Sequence, residues 1–176
     1  GFARANNQGI DAASGDYILF LNDDAVLARD YCRLLVDRFE ARGDLGSAIG
    51  KLKKDENTID SAGIVLSRSK MSPHDRGEGE RDDGRYDVEQ EVSGATCAAA
   101  MYRRDTLHDC RVLGEIFDED FFAYYEDVDL AWRAQVLGWR CLYVPSAVAH
   151  HPRRGPFDRP WWIKKHLIVN RYFCYI

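Results

Sequence analysis

Asn22-Asp23-Asp24 closes the apolar run Tyr17-Ile18-Leu19-Phe20-Leu21. An apolar run bounded by Gly15 and an acidic cluster reads as a strand buried on both faces, the kind found in a parallel sheet. Ligands of open α/β sheets bind beyond the carboxyl ends of strands. Carboxylates placed there suit a hard divalent cation, Mn2+ or Mg2+, and such a cation in turn suits a diphosphate. Asn and Asp are also common turn residues, so a plain polar turn is the competing reading of the same stretch.

A second acidic cluster is Tyr125-Glu126-Asp127-Val128-Asp129-Leu130. Glu126 and Asp127 fall at the predicted start of a helix that runs from about Asp127 to Leu137 and stops at Gly138. The helix dipole favours a carboxylate at that end and is expected to depress its pKa. A carboxylate kept ionised at neutral pH can accept a proton from a hydroxyl; ordinary N-terminal capping is the alternative. Asp129 and Arg133 are four apart and pair on the helix face, which makes Asp129 structural. His150-His151 follows a predicted strand, Trp139 to Val144, closed by Pro145. Imidazole is a common transition-metal ligand, and a solvated loop pair is the alternative. His74, His108 and His166 have no metal-ligand spacing around them.

The elements that must position these groups can be read from periodicity. Ala3 to Ala13 reads as a short helix stopped by Gly15, and Asp16 to Leu21 as a strand. Tyr31, Leu34, Leu35 and Phe39 recur at helical spacing, which predicts an amphipathic helix over Asp30 to Ala41. Ser47 to Leu52 is a second strand, and Thr58 to Ser67 alternates weakly around Gly63 as a hairpin arm. Residues 67–90 are rich in charge and glycine and have little to bury, which predicts a mobile loop. Such a loop is a substrate lid or a solvated insertion. Val92 to Tyr102 is apolar and small, and Gly94 with Ala95 leaves room for a ligand or a backbone to approach closely. Phe117 to Tyr125 is aromatic-rich, and Pro160 to Ile176 is aromatic, basic and helical in pattern.

Composition bounds the function classes. A chain of 176 residues with 45% hydrophobic residues makes one domain with a real core. The formal net charge is −5 and the pI near 5.5, which argues against nucleic-acid binding. Cys32, Cys97, Cys110, Cys141 and Cys174 are scattered and odd in number, which points to a reducing, cytoplasmic compartment. No apolar run approaches the roughly 20 residues that span a bilayer, and no signal peptide is visible. The chain opens without methionine on Gly1-Phe2-Ala3-Arg4-Ala5-Asn6-Asn7, as if inside an element. The strand, helix and strand that normally begin an α/β nucleotide site are therefore expected upstream of Gly1.

The fragments form an ordered series. It runs through Gly1 to Ile10, Tyr17 to Asp24, Ser93-Gly94-Ala95, Arg103-Arg104 and Gly114 to Phe122. It continues through Glu126-Asp127-Val128-Asp129-Leu130, Arg133, Gly138, Val144-Pro145 and His151. This series resembles the family 2 glycosyltransferases, most closely their bacterial rhamnosyltransferase-like branch, over about 150 residues. The resemblance implies a GT-A fold, an α/β domain with a mainly parallel central sheet flanked by helices, truncated at its N-terminus. It places the glycosyltransferase domain at 1–157 and an amphipathic aromatic and basic helix at 158–176.

The resemblance also implies roles. Asp24 corresponds to the metal ligand, with Asn22 and Asp23 at the ribose or diphosphate. The family's Glu-Asp pair contains the catalytic base, placed on Asp127 with Glu126 as the alternative. The late histidine of the metal site falls on His151 or on the adjacent His150. Gly94, Ala95 and Tyr125 would line the acceptor or donor-sugar pocket, and Asn6 and Asn7 would lie near the donor. Pro152-Arg153-Arg154-Gly155-Pro156 departs from the Gly and Ser usual after the histidine, with Arg153 and Arg154 able to supply positive charge to the diphosphate. The implied activity is inverting, metal-dependent transfer of a sugar, with rhamnose suggested by the branch, from a UDP- or dTDP-linked donor. The acceptor would be a hydroxyl of a glycan or lipid-linked molecule. A non-catalytic nucleotide-sugar or glycan-binding module and a metal-dependent nucleotide-sugar hydrolase are the alternatives. Pro160 to Val169 mixes Trp, Lys and aliphatics, as an interfacial helix at the cytoplasmic membrane face would, or as a helix packed on the domain would.

Overall fold

The computed structural model describes residues 1–67, 72–153 and 160–173. Helix α1 (Phe2–Ala12) leads to strand β1 (Tyr17–Leu21), the short β2 (Val26–Leu27) and helix α2 (Tyr31–Ala41). Strands β3 (Leu45–Lys53), β4 (Ile59–Ser61), β5 (Ile64–Ser67), β6 (Ser72–Asp75), β7 (Gln90–Val92) and β8 (Ala99–Arg103) follow. The chain then forms α3 (Arg104–Asp109), a 3-10 turn (Glu119–Phe121), α4 (Glu126–Val136), β9 (Arg140–His150) and α5 (Trp161–Phe173).

The main sheet has the order β1-β8-β3-β9-β2, with β4 added on β3 and β7 on β9, while β5 and β6 form a separate ladder. Among the described residues β3 and β9 are its parallel pair. The pairs β1–β8, β2–β9, β3–β4, β3–β8 and β7–β9 are antiparallel. The sheet is therefore mixed, and the expected mainly parallel pairing is corrected. A parallel pair needs a long crossover, which α3 and α4 supply between β3 and β9; the other pairs do not have this constraint. The apolar run of β1 is not buried on both faces either. Ile18 and Phe20 are buried and Leu21 is exposed, because β1 stands at one end of the strand order. The doubly covered strand is β3, buried from Leu45 through Leu52.

β9 continues past Pro145, where the sequence predicts a stop. Gly50 pairs with Val144 and the next residue, Lys51, with Val148, so Pro145 to Ala147 bulge out of the ladder. Proline has no N–H to give to a ladder, and a bulge is where a sheet tolerates it. Gly50 faces this bulge, and a Cβ there would collide with the Ala147 carbonyl. The buried Tyr31 hydroxyl accepts from Gly50 N–H at 3.0 Å and donates to the Ala99 carbonyl at 2.5 Å, tying α2 to β3 and to the start of β8. The bulge carries β9 on to His150, so His150 ends a strand instead of lying on a loop.

Two further packing relations serve the site. Gly94 lies against α4, and a Cβ on it would enter the van der Waals shell of Ala131 Cβ. The segment 72–90 buries more than its charge content predicts. Tyr86 is buried, its carbonyl accepts from the Tyr143 hydroxyl at 2.8 Å, and the Arg76 guanidinium lies 4.8 Å from its ring centre. Buried Lys51 pairs with Asp82 at 2.8 Å and with Asp87. The expected Asp129–Arg133 pair forms on α4 at 3.0 Å, and Arg133 also donates to the Ile116 carbonyl at 2.7 Å, pinning the loop before the 3-10 turn.

Candidate active site

After β1 the chain turns sharply. Asn22 N–H donates to the Ala98 carbonyl at 3.0 Å, and Ala25 N–H to the Asn22 carbonyl at 3.1 Å. Asp23 and Asp24 stand at the tip of this tight turn, so the cluster is the polar turn that one reading of the sequence expects. β2 then pairs with β9 in the register Val26 to His150. That register brings Asp24 beside His151, with Asp24 Oδ1 3.2 Å from His151 Nε2. The Asn22 amide nitrogen is 3.2 Å from the same ring nitrogen.

His151 is held from behind. Its backbone N–H donates to the Lys53 carbonyl at the end of β3 at 2.8 Å. Its Nδ1 is 2.7 Å from Asp60 Oδ2 on β4. Asp60 is 1% exposed. That contact holds the ring so that Nε2 faces Asp24 and Asn22. The other Asp60 oxygen accepts from Arg153 Nε at 3.0 Å. Arg153 Nη1 lies 2.8 Å from Asp75 Oδ2 and 3.4 Å from Glu78 Oε1.

A further part of the lining belongs to the start of α4. Tyr125 is its N-cap residue with φ 70°, in the left-handed region, and makes no side-chain capping hydrogen bond. Asp127 Oδ2 accepts from Cys97 N–H at 3.3 Å, and its Oδ1 from Val128 N–H at 2.9 Å. Glu126 is buried, and its Oε2 has no hydrogen-bond partner among the described residues. Burial, with Asp127 beside it, raises the Glu126 carboxyl to about 8. Burial and the Asp75 carboxylate also raise Asp127, while the N–H groups of Cys97 and Val128 pull it back. The expected depression by the helix dipole is overturned, because desolvation of a carboxylate outweighs half a charge at a helix end.

Both parts line one cavity of about 590 Å³. Asn22, Asp23, Asp24, Tyr125, Glu126, Asp127, His151 and Arg153 line it, as the sequence led one to expect. Asp75, Glu78, Thr96, Cys97, Phe2, Tyr124 and Leu167 also line it and were missed. His150 is exposed at the end of β9 and lies away from the cavity lining, as do Asn6, Asn7, Gly94 and Ala95. Asn6 donates to the Phe2 carbonyl at 2.9 Å within α1. Asn7 brackets Phe117, donating to its carbonyl at 2.8 Å and accepting from its N–H at 2.9 Å. Gly94 makes room for a helix and not for a ligand. Arg154 lies outside the described residues. Asp60 had a faint signal, a lone carboxylate inside the strand-like stretch Ile59-Asp60-Ser61-Ala62.

A family model described as glycosyl transferase family 2 matches residues 1–111. The chain belongs to glycosyl transferase family 2. It is 26% identical over 190 residues to rhamnosyltransferase WbbL of Escherichia coli, covering 92% of this chain and 67% of that one. It is 58% identical over 61 residues to N-acetylglucosaminyl-diphospho-decaprenol L-rhamnosyltransferase of Mycobacterium tuberculosis, covering 34% of this chain and 19% of that one. An uncharacterized Sinorhizobium fredii protein, y4gI, is 23% identical over 167 residues, covering 90% of this chain and 18% of its own. These relatives support the rhamnosyltransferase-like branch of the family. The crystal structure of GalNAc-T7 with UDP, GalNAc and Mn2+ superposes with a TM-score of 0.65 at 12% identity, covering 89% of this chain and 31% of that one. At that identity the likeness speaks for the fold, and the fold of this family 2 domain is GT-A. The chain spans less than a third of GalNAc-T7 and less than a fifth of the y4gI and mycobacterial proteins.

Proposed function

We propose that this domain transfers a sugar, with inversion, from a UDP- or dTDP-linked donor to a hydroxyl of a glycan or lipid-linked acceptor, using Mn2+ or Mg2+. Rhamnose is the first sugar to test, because two relatives carry that activity in their names. The observation that carries the reading is that the Asp24–His151 pair and Asp127 line one cavity.

The residues present fit a divalent cation. A carboxylate oxygen and an imidazole Nε2 stand 3.2 Å apart, and the far ring nitrogen is held by a buried carboxylate. Asp24 and His151 would hold the ion, with diphosphate oxygens completing its shell. When bound, it would offset the charge of the leaving diphosphate. The chain needs such help, because Asp23, Asp24, Asp75, Glu78 and Asp127 line the cavity, and Arg153 aims Nε and Nη1 at Asp60, Asp75 and Glu78.

Asp127 is the base in this mechanism. Its carboxylate takes the proton from the acceptor hydroxyl as that oxygen attacks the anomeric carbon from the face opposite the diphosphate. The new glycosidic bond forms as the bond to the diphosphate oxygen breaks. Cys97 and Val128 N–H groups orient the carboxylate, and Tyr125 borders the acceptor side. Glu126, held protonated by burial near neutral pH, is the weaker candidate for the base.

Calorimetry with UDP, dTDP and GDP, each with and without Mn2+, tests the donor site. Metal-dependent binding of one diphosphate that is lost in Asp24→Ala is expected. Binding by none of them, with the full-length protein as with this domain, would sink the reading. A binding module would bind without turnover, and a hydrolase would cleave donor with no dependence on acceptor. Asp24 and His151 supply two ligands, which suits a cation completed by substrate more than a self-contained hydrolytic centre.

Peripheral membrane contact belongs to the same proposal. Trp161, Trp162, Ile168 and Val169 are exposed on α5 beside Lys165, a composition suited to a bilayer interface. No described helix is long and apolar enough to cross a membrane. Co-sedimentation with anionic liposomes is expected, and failure to pellet would remove this part.

A further inference from the structure

We propose that Asn170, on α5, is a positioning residue of the candidate active site, holding the backbone that presents Tyr125 and Asp127 to the cavity. This inference rests on the transfer reading above.

The stretch before α4 is unusual. Phe122, Tyr124 and Tyr125 have φ of 61°, 73° and 70°, a region that side chains with a Cβ rarely occupy. Nothing in their sequence demands this, since no glycine stands among them. Such a backbone persists where its surroundings determine it. Here the surroundings are the carbonyl partners. The Asn170 amide nitrogen is 2.7 Å from the Phe121 carbonyl oxygen and 2.9 Å from those of Ala123 and Tyr124. The remaining carbonyl, Phe122, accepts from Phe2 N–H at 2.7 Å. Four successive carbonyls are thus turned outward to partners on α1 and α5, and one amide serves three of them.

Asn170 is 1% exposed. It is the polar residue after Leu167-Ile168-Val169, and these bonds satisfy its buried amide nitrogen. Its helix grips the same loop twice more. The His166 ring stacks on Phe122 at 5.1 Å, and Trp162 meets Phe122 edge-on at 6.2 Å. Leu167, one turn earlier, lines the cavity. Tyr125, Glu126 and Asp127 follow the loop without a break, so the loop sets where α4 begins. The helix that reads from sequence as an appended tail is, in the fold, a wall of the site. The donor side stands apart, because Asn22, Asp23, Asp24 and His151 are held by β1, β2, β3 and β4.

The test uses the full-length protein and Asn170→Asp, which keeps the outline and puts oxygen in place of the amide nitrogen against three carbonyls. The expected result is a fall in kcat of about 10- to 100-fold. The dissociation constant for the nucleoside diphosphate with Mn2+ should stay within about threefold, because that side of the cavity is built by other elements. Asn170→Ser, whose hydroxyl can still donate one bond, should lie between. A folded Asn170→Asp with kcat within about twofold of wild type would overturn the proposal, as would parallel loss of diphosphate binding. If Asn170→Asp does not fold, Asn170→Ser decides by the same two readouts. If wild type binds diphosphate and transfers nothing, the transfer reading fails by itself. The crystal structure of the variant then decides, a displaced 122–125 loop supporting the proposal and an unchanged one overturning it.

Discussion

His151 Nδ1 and Asp60 Oδ2 lie 2.7 Å apart beneath the cavity floor, and this contact aims the opposite ring nitrogen at Asp24. Asp60 also accepts from Arg153 and is almost wholly buried, so its loss would strand two partners. Asp60→Asn should weaken Mn2+-dependent diphosphate binding about 10- to 100-fold, as loss of a carboxylate behind a ligating imidazole does. It should also cost roughly 3–5 kcal/mol of stability, the usual penalty for breaking a buried pair. Calorimetry and thermal unfolding of the one variant check both. Unchanged metal-dependent binding would show that the contact does not serve a cation.

Asp127→Asn separates chemistry from binding. The amide keeps the shape that Cys97 and Val128 N–H groups face but accepts no proton. Transfer should fall about 10²- to 10⁴-fold, with donor affinity nearly unchanged. Near-full activity would move the base elsewhere, with Glu126 the next residue to test.

Glu126 predicts a pH dependence of folding. Its folded carboxyl is raised to about 8 by burial, above the ordinary value of 4.5 that holds when unfolded. Between those two values the folded chain binds more protons than the unfolded one, so this group's contribution to stability falls as pH rises. The slope approaches about 1.4 kcal/mol per pH unit. Glu126→Gln should flatten the decline and make the protein more stable than wild type near pH 8. Chemical denaturation at several pH values measures this, and parallel curves for the two proteins would contradict it.

Gly94 and Ala131 form a steric pair across the contact between α4 and the loop before β8. Gly94→Ala should destabilise by about 1–3 kcal/mol, the range for overpacking. Adding Ala131→Gly should recover part of this, after a helix-propensity cost of about 1 kcal/mol. Additive losses in the double variant would show that the two Cβ positions do not compete.

Much of the site is legible in local sequence, because strand ends and helix starts are encoded nearby. A short apolar run, an acidic turn, Glu-Asp opening a helical period and a histidine after a strand are each local patterns, and the structure brings all four to one cavity. Which histidine borders it was open in the sequence. Alternation along β9 would put His150 and His151 on opposite faces, but the bulge at Pro145 resets the phase, and only the pairing with β3 and β2 turns His151 inward.

The sequence by itself pointed to the family, through the ordered series of motifs, and to the two acidic clusters and the histidine pair, since each motif is a local pattern. Tertiary structure decided the rest through contacts between distant segments. Asp60 meets His151 because β4 and the end of β9 share β3, and Asn170 meets the carbonyls before α4 because α5 folds back over them. The direction of the Glu126 shift was decided there too, since a helix start favours a charged carboxylate until the surrounding protein takes its water away.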